Sequence, residues 1–537
     1  MASRGLFAAL CAACLAVASA APLRNSADCV NVDLLKVTGV NVFPTTRQIS
    51  SSSVQFLQDR TTVSVAQNFE VSYYSTFKVV TNLYTFAKET YVLYQCGTAA
   101  PNPADYGLPA ATKVLAVPLT AVSVQDTTVL NFMKILNVLD RVAYVTPYAV
   151  EPCMQALAGG SCNRTSDNAV ADKIDGKFVG FSVKPSDPQA ITFTATADPG
   201  PLNRAEYIKY VATFFNREAA ANTAFNAIVS AYNANKQLAA TYLSKNSAVS
   251  PLVAWIYYQP KYDSATYKAP EQVVLYFNAY RRQYVQDAGG RLHDLAALNA
   301  QYGNNNTITV SGSQLVFTDL PNTLPVLRTI LASVDVVIDE SFYDGKNPTQ
   351  ITLDDFRALY GLTDAAALTD LKFLANQRLL RLDGSANPGG TTAWFEEAVA
   401  RPDIVGPTRV DDVLHDLVSA FLPNALLSIG DTVPAKLVRN MFASNPGRVV
   451  LSSAAQCPAA QATCGAPASP VCPAVYLDCQ GRLTAATDSQ PCAPSCSASP
   501  SNNAPNGAGG AASRAAAQPL LLVALLVAAL AVLGWGL

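Results

Sequence analysis

From Cys29 to about residue 450 the chain alternates short apolar runs with stretches at helical spacing. KVLAVPL (113–119) reads as a buried strand, VLNFMKILNVLD as the helix after it, and RVAYVTP as the next strand. KFVGFSV and AITFTATA follow as further strands, so the order predicts an α/β sheet with helices on its faces. The pattern then changes. Arg204 to Asn246 is almost free of Gly and Pro, with Ile208, Val211 and Phe215 on one face. Phe225, Ile228, Val229 and Tyr232 continue that face at helical spacing. One long helix is expected here, with room for a bend near Asn216; about 25 residues span roughly 37 Å. No heptad pattern persists, which argues against a coiled coil.

After the helix the α/β order restarts. PLVAWIYY reads as a strand, VVLYFNAYRRQYVQDAGG as a helix closed by Gly289, and QLVFT and DVVIDESF as strands with PNTLPVLRTILAS as a helix between them. ALTDLKFLANQRLLRLDG gives a further helix and strand, and AWFEEAVARPDIV with VDDVLHDLVSAFLP ends the lobe. The expected fold class is therefore α/β: two α/β lobes joined by a single long helix, with a ligand cleft between them. The divisions are 21–203 for an N-terminal lobe with a β-rich arm, 204–246 for the connecting helix and 247–445 for the C-terminal lobe.

The ends change the picture of where the protein works. MASRGLFAALCAACLAVASA has an early Arg4, a short apolar run and small residues at the cleavage spacing, so 1–20 is expected to be a secretory leader. Residues 519–537 are apolar to the last residue, behind a small and polar linker at 501–518. This is the layout of a glycosylphosphatidylinositol attachment signal; Asn506, Gly507 and Ser513 are candidate attachment residues, with Asn506 preferred. A C-terminal span is the alternative. Either arrangement puts the mature chain on the outer face of the plasma membrane.

Cysteine usage agrees with that compartment. Of 12 cysteines, Cys11 and Cys14 leave with the leader. Cys29, Cys96, Cys153 and Cys162 lie in the body; Cys457, Cys464, Cys472, Cys479, Cys492 and Cys496 crowd into a segment at 446–500. All read as disulfides, with Cys29 placed to pin the N-terminal arm to Cys96, and Cys153 and Cys162 to close a short loop. Asn163 and Asn305 begin glycosylation acceptor triplets, which expects both at the surface. A net charge of −2 without a basic run gives no sign of a nucleic-acid partner.

Several segments resemble a known family in their order and spacing. SVAQNFEVSYYSTFKVV, ETYVLYQCGTAAP and TKVLAVPLTAVSVQDTTVLNFMKILNVLDRVAYVT are similar to the first lobe of the helical-backbone substrate-binding proteins of ABC importers, the group that carries siderophores and cobalamin. AEYIKYVATFFNREAAANTAFNAIVSAYN resembles their connecting helix. AYRRQYVQDAGG and QRLLRLDGSANPGGTTAWFEEAVARPDIV resemble segments of their second lobe. The likeness covers roughly residues 60 to 425. With the leader and the membrane-attached end, the chain looks like a member of the algal cobalamin acquisition proteins. That resemblance implies cobalamin as ligand, no catalytic cofactor, and an uptake partner that the sequence does not identify. In bacterial members an acidic residue on each lobe docks on the importer; Asp126 and Asp287 are the candidates here.

In open α/β sheets ligands bind beyond the carboxyl ends of the strands. Thr120 and Ser123 follow KVLAV, Tyr148 follows RVAYV, Tyr258 and Gln259 end LVAWIYY, and Glu340, Phe342 and Tyr343 follow DVVID. Trp394 is a further candidate late in the second lobe, and Trp255 is shared between core and cleft as explanations. Aromatic breadth with amide and hydroxyl groups suits a large, flat, amphipathic ligand. A His-rich divalent-metal site is not expected, because the two histidines, His293 and His415, both lie in helix-like segments. No nucleophile elbow, P-loop or H-E-x-x-H is present, so an enzyme is not expected. Rival readings are an iron or iron–siderophore binder and a structural surface glycoprotein without ligand.

Overall fold

The computed structural model describes residues 59–443 apart from several short stretches, the longest being 388–409. Outside that span it describes Cys29, Val42, Phe43 and three short strand pieces beyond residue 448. The leader, the six distal cysteines, Asn506 and the apolar tail lie outside the described residues, as do Asn305, Phe342 and Trp394.

The N-terminal lobe holds two sheets. β1 (Phe69–Tyr73), β2 (Phe77–Asn82) and β3 (Glu89–Gln95) form an antiparallel meander, and β4 (Lys113–Val117) joins parallel to β3. Cys29 is bonded to Cys96 at the end of β3, with a Cα–Cα distance of 4.8 Å, and Cys153 and Cys162 are both disulfide-bonded. The second sheet is parallel, in the order β6-β5-β7-β8: β5 (Val122–Val124), β6 (Val142–Val145), β7 (Gly176–Val179) and β8 (Ala190–Thr192). α1 (Thr128–Ile135) links β5 to β6, and α2 (Pro152–Ala158) follows β6.

KVLAV is thus not the strand that precedes the helix. Pro118 has no N–H to continue the ladder, so β4 ends and the chain re-enters the second sheet as β5. Asp175 fixes this transfer: its carboxylate accepts from Thr120 N and Oγ1, both at 2.8 Å, and from Ala121 N at 3.0 Å.

In place of one helix over 204–246 there are three pieces. α3 (Pro201–Ala205) and α4 (Tyr207–Thr213) precede α5 (Glu218–Asn246). The break falls at Asn216, whose φ of 53° is in the left-handed region that Asn tolerates better than most residues. The 29 residues of α5 span roughly 43 Å. Its first turn is tied to the N-terminal lobe by the buried Glu218–Lys78 ion pair and by Asn222, which accepts from Thr61 Oγ1 at 2.7 Å. Farther along, Tyr232 donates to Asp287 at 2.9 Å and Lys236 pairs with the same carboxylate at 2.9 Å. The helix is therefore held to one lobe by its first turn and to the other by its middle, by charge as well as packing, and acts as a strut.

The C-terminal lobe is built on an eight-stranded mixed sheet with β9 (Leu252–Gln259) in its interior. β10 (Gln272–Tyr276) pairs antiparallel with β9 and leads into α6 (Ala279–Asp287). β11 (Ile308–Ser311) and β12 (Gln314–Phe317) extend that side, and α7 (Leu320–Leu331) follows. On the other side β13 (Val336–Asp339) and β14 (Leu379–Arg381) run parallel to β9; α8 (Val410–Phe421) precedes the short edge strand β15 (Arg439–Asn440). The stretch VVLYFNAYRRQYVQDAGG is half strand, half helix. Its Val-Val-Leu-Tyr start suits a strand packed on both faces, and Asn278 starts the helix by accepting from Arg281 N at 3.2 Å.

β9 separates two cores. Val253 and Trp255 belong to a core that takes in residues of α5 and α8, whereas Leu252, Ala254 and Ile256 belong to a second core with Leu327, Ile330 and Phe356. Both faces are buried, which accounts for the nearly continuous apolar run in this strand.

Candidate functional site

The parallel strands of each lobe end on one side of its sheet, and these ends approach each other. Asn387, six residues beyond β14, donates from Nδ2 to Ala149 O at 3.0 Å, and the contact is buried. Ala149 lies four residues beyond β6. The carboxyl-end loops of the two sheets therefore touch, on a line where an interlobe ligand would lie.

Tyr148 is adjacent to that contact and is 51% exposed. A tyrosine ring held out on a short loop beside an interlobe bond is available for flat contact with a ligand. Thr146, which sequence reasoning passed over, orients the loop: its N donates to Val124 O at 2.8 Å and its Oγ1 accepts from Tyr148 N at 3.4 Å.

Other expected site residues are taken by internal partners. Thr120 is buried at the amino end of β5, clamped by Asp175, so it does not stand at a strand tip. Ser123 is fully buried within β5, in the sheet itself and not at its edge. Trp255 is core: it is 1% exposed, and its indole N–H donates to Glu340 Oε2 at 2.7 Å. Glu340 also receives Arg281 through both oxygens, at 2.8 and 2.9 Å. It is thus the acceptor of a bidentate pair and not an open carboxylate. Tyr258 is half-buried and turns to the outer core, donating to Glu271 at 2.6 Å. Gln259 is buried, because the β9–β10 ladder runs on to Gln272 and keeps the strand end covered.

Tyr343 belongs to a network at the carboxyl ends of β13 and β14 that sequence reasoning did not anticipate. Asp339 is fully buried and accepts from Tyr343 Oη at 2.8 Å, from Ser341 and from Arg381. Arg381 also reaches Asp383 at 2.8 Å, and Arg439 binds Asp383 through two nitrogens at 2.7 and 2.9 Å. Two arginines balance two aspartates, so the wall of the second lobe is rigid and electrically closed. Burial pushes the Tyr343 phenol well above its ordinary range, so it remains a neutral donor. The signal in the sequence is the pair of charges flanking Leu382 where the apolar strand ends, in RLLRLDG.

Asp287, one of the two candidate docking acids, is 7% exposed and bound to Tyr232 and Lys236, so it cannot present charge to a partner. Asn163 is exposed, as an acceptor for glycosylation requires. His415 is held between Asp431, at 3.2 Å from Nε2, and Asp416. Among the described residues no group of three or more His, Cys, Asp or Glu side chains could hold a metal ion. A cavity of about 250 Å³ lined by His293, Leu298, Tyr302 and Ile330 lies elsewhere. His293 follows Arg291–Leu292, which pair with the first residues of β9, at the end of the sheet opposite the interlobe line.

No protein-family model and no curated protein matches this chain. Solved structures similar to it include a periplasmic heme binding protein from Pseudomonas aeruginosa, 14% identical, covering 60% of this chain and 97% of its own, with a TM-score of 0.36. A petrobactin-binding protein from Bacillus subtilis is 10% identical, with 57% and 94% covered and a TM-score of 0.35. A periplasmic heme-binding protein from a Roseiflexus species, in apo form, is 15% identical, with 57% and 99% covered and a TM-score of 0.32.

Proposed function

We propose that this protein is a membrane-anchored binding protein of the outer cell surface that captures cobalamin between its two lobes and delivers it to an uptake partner. The observation that carries the reading is the meeting of two sets of strand carboxyl ends at Ala149–Asn387, braced by one stiff helix. That arrangement suits capture by small changes in lobe angle, because a helix fixed in both lobes resists wide hinge opening. The resemblance of residues 60–425 to siderophore and cobalamin carriers supports the ligand class, and the leader and apolar tail support the surface location. An exposed ring at Tyr148 suits a broad, flat ligand held by stacking.

Calorimetric titration of the purified protein tests this. Cyanocobalamin is expected to bind with one-to-one stoichiometry, and Tyr148→Ala to weaken it by about tenfold, the effect of losing one aromatic anchor. Absence of heat with cyanocobalamin, together with saturable binding of hemin or a ferric siderophore, would reassign the ligand.

A further inference from the structure

The parallel sheet of the N-terminal lobe has a topological switch point. From β5 the chain crosses outward to β6, then returns past β5 to place β7 on its other side. Connections leave β5 and β7 in opposite directions, and the gap above their carboxyl ends is where open α/β sheets take ligands. Asp126 occupies that gap. It is the second residue beyond β5, and Gly180 is the first beyond β7.

The two meet: a Cβ on Gly180 would stand 3.6 Å from Asp126 Oδ2. Oδ1 is committed to the first turn of α1, accepting from Thr128 N at 3.0 Å and from Thr128 Oγ1 at 2.6 Å. Oδ2 has no such bond among the described residues. Burial pushes the Asp126 carboxyl above its ordinary value, and only the Thr128 N–H and hydroxyl draw it back; no cation contributes. Every charge described above on the facing wall of the C-terminal lobe is matched within its own network. Asp126 is not matched in this way, and the carboxyl ends of its sheet face that lobe.

We propose that Asp126 sets ligand choice in the cleft: Oδ2 accepts a hydrogen bond from an N–H of the bound molecule, so the site takes neutral, amide-bearing ligands and rejects those presenting a carboxylate at that position. This rests on the cleft being the ligand site and on cobalamin, whose rim carries amides, as the ligand. A carboxylate brought against Asp126 meets like charge in a partly desolvated place, and the interaction changes from attraction to repulsion. Gly180 leaves Oδ2 open on that side, where a Cβ would lie in van der Waals contact with it.

The test uses cyanocobalamin and its monocarboxylic acids, in which one rim amide is replaced by a carboxylate, titrated into the full-length protein. The wild type is expected to bind at least one monoacid about tenfold or more weaker than cyanocobalamin. In Asp126→Asn that ratio is expected to fall to about threefold or less, or to reverse. Asn keeps an oxygen for Thr128, and Asp126→Ser, which also keeps a capping oxygen, is a second variant expected to lose the discrimination. Equal binding of all monoacids by the wild type, or discrimination unchanged in both variants while cyanocobalamin still binds, overturns the role of Asp126 and leaves the proposed function standing. Failure of the wild type to bind cyanocobalamin overturns both.

Discussion

Arg381→Met is expected to lower stability by about 3–5 kcal/mol, the cost of breaking a buried ion pair from one side. Asp339 and Asp383 are 0% and 2% exposed, and Arg381 serves both while donating to Ser341 O at 3.3 Å. With a thioether in its place Asp339 retains, among the described residues, the donors of Tyr343, Ser341 and Tyr360, and Asp383 retains Arg439. The loss is read as a shift of the denaturation midpoint at unchanged slope. Adding Asp339→Asn is expected to restore part of it, since the amide removes one uncompensated charge. A loss below about 1 kcal/mol, the worth of an exposed pair, would mean that the network is open to water and does not stiffen the wall of the cleft.

Lys78→Met is expected to cost a similar amount, about 3–5 kcal/mol, through a different part of the fold. Lys78 and Glu218 have side chains 0% and 1% exposed, and the ammonium also reaches Asn216 Oδ1 at 2.9 Å. The pair joins β2 to the first turn of α5, where a carboxylate is also favoured by the helix dipole. Replacing Lys78 alone leaves Glu218 buried without its cation. Replacing both, Lys78→Met with Glu218→Gln, is expected to restore most of the stability, because a buried pair and a well-packed neutral substitute differ little. If the double variant is as unstable as the single one, packing around the side chains and not their charge holds the helix to the lobe. These variants and Arg381→Met act on separate lobes, so their effects should add.

The two lobes were legible in the sequence because period and length carry them. Apolar runs of four to eight residues between helical stretches describe β9 and β13 well, and the absence of Gly and Pro after Arg204 marks α5. Positions where a tertiary partner decides the outcome were not legible. Nothing local shows that Asp175 would seize Thr120 and Ala121 and make an extra strand after Pro118. The VVLYF segment has residues that serve helix or strand, and its pairing with both β9 and β12 decides for strand.

The same limit governs the site. Trp255 and Tyr258 are site candidates because aromatics with polar atoms stand at or near a strand end, but they use those atoms on Glu340 and Glu271. A carboxylate far along the chain satisfies an indole as well as any ligand could. Tyr148 stays exposed on its loop because it has no such core to join. Asp126 enters from the sequence only as a candidate docking acid implied by the family resemblance; its place between β5 and β7 depends on strand order, which sequence spacing does not state.

Capture between the two lobes is tested by amide hydrogen exchange with and without saturating cyanocobalamin, which reports where a ligand is held. Slowed exchange is expected at 125–128 and 146–149 in the first lobe and at 382–387 in the second, with α5 unchanged. Slowing confined to one lobe, or no slowing in either, would contradict it.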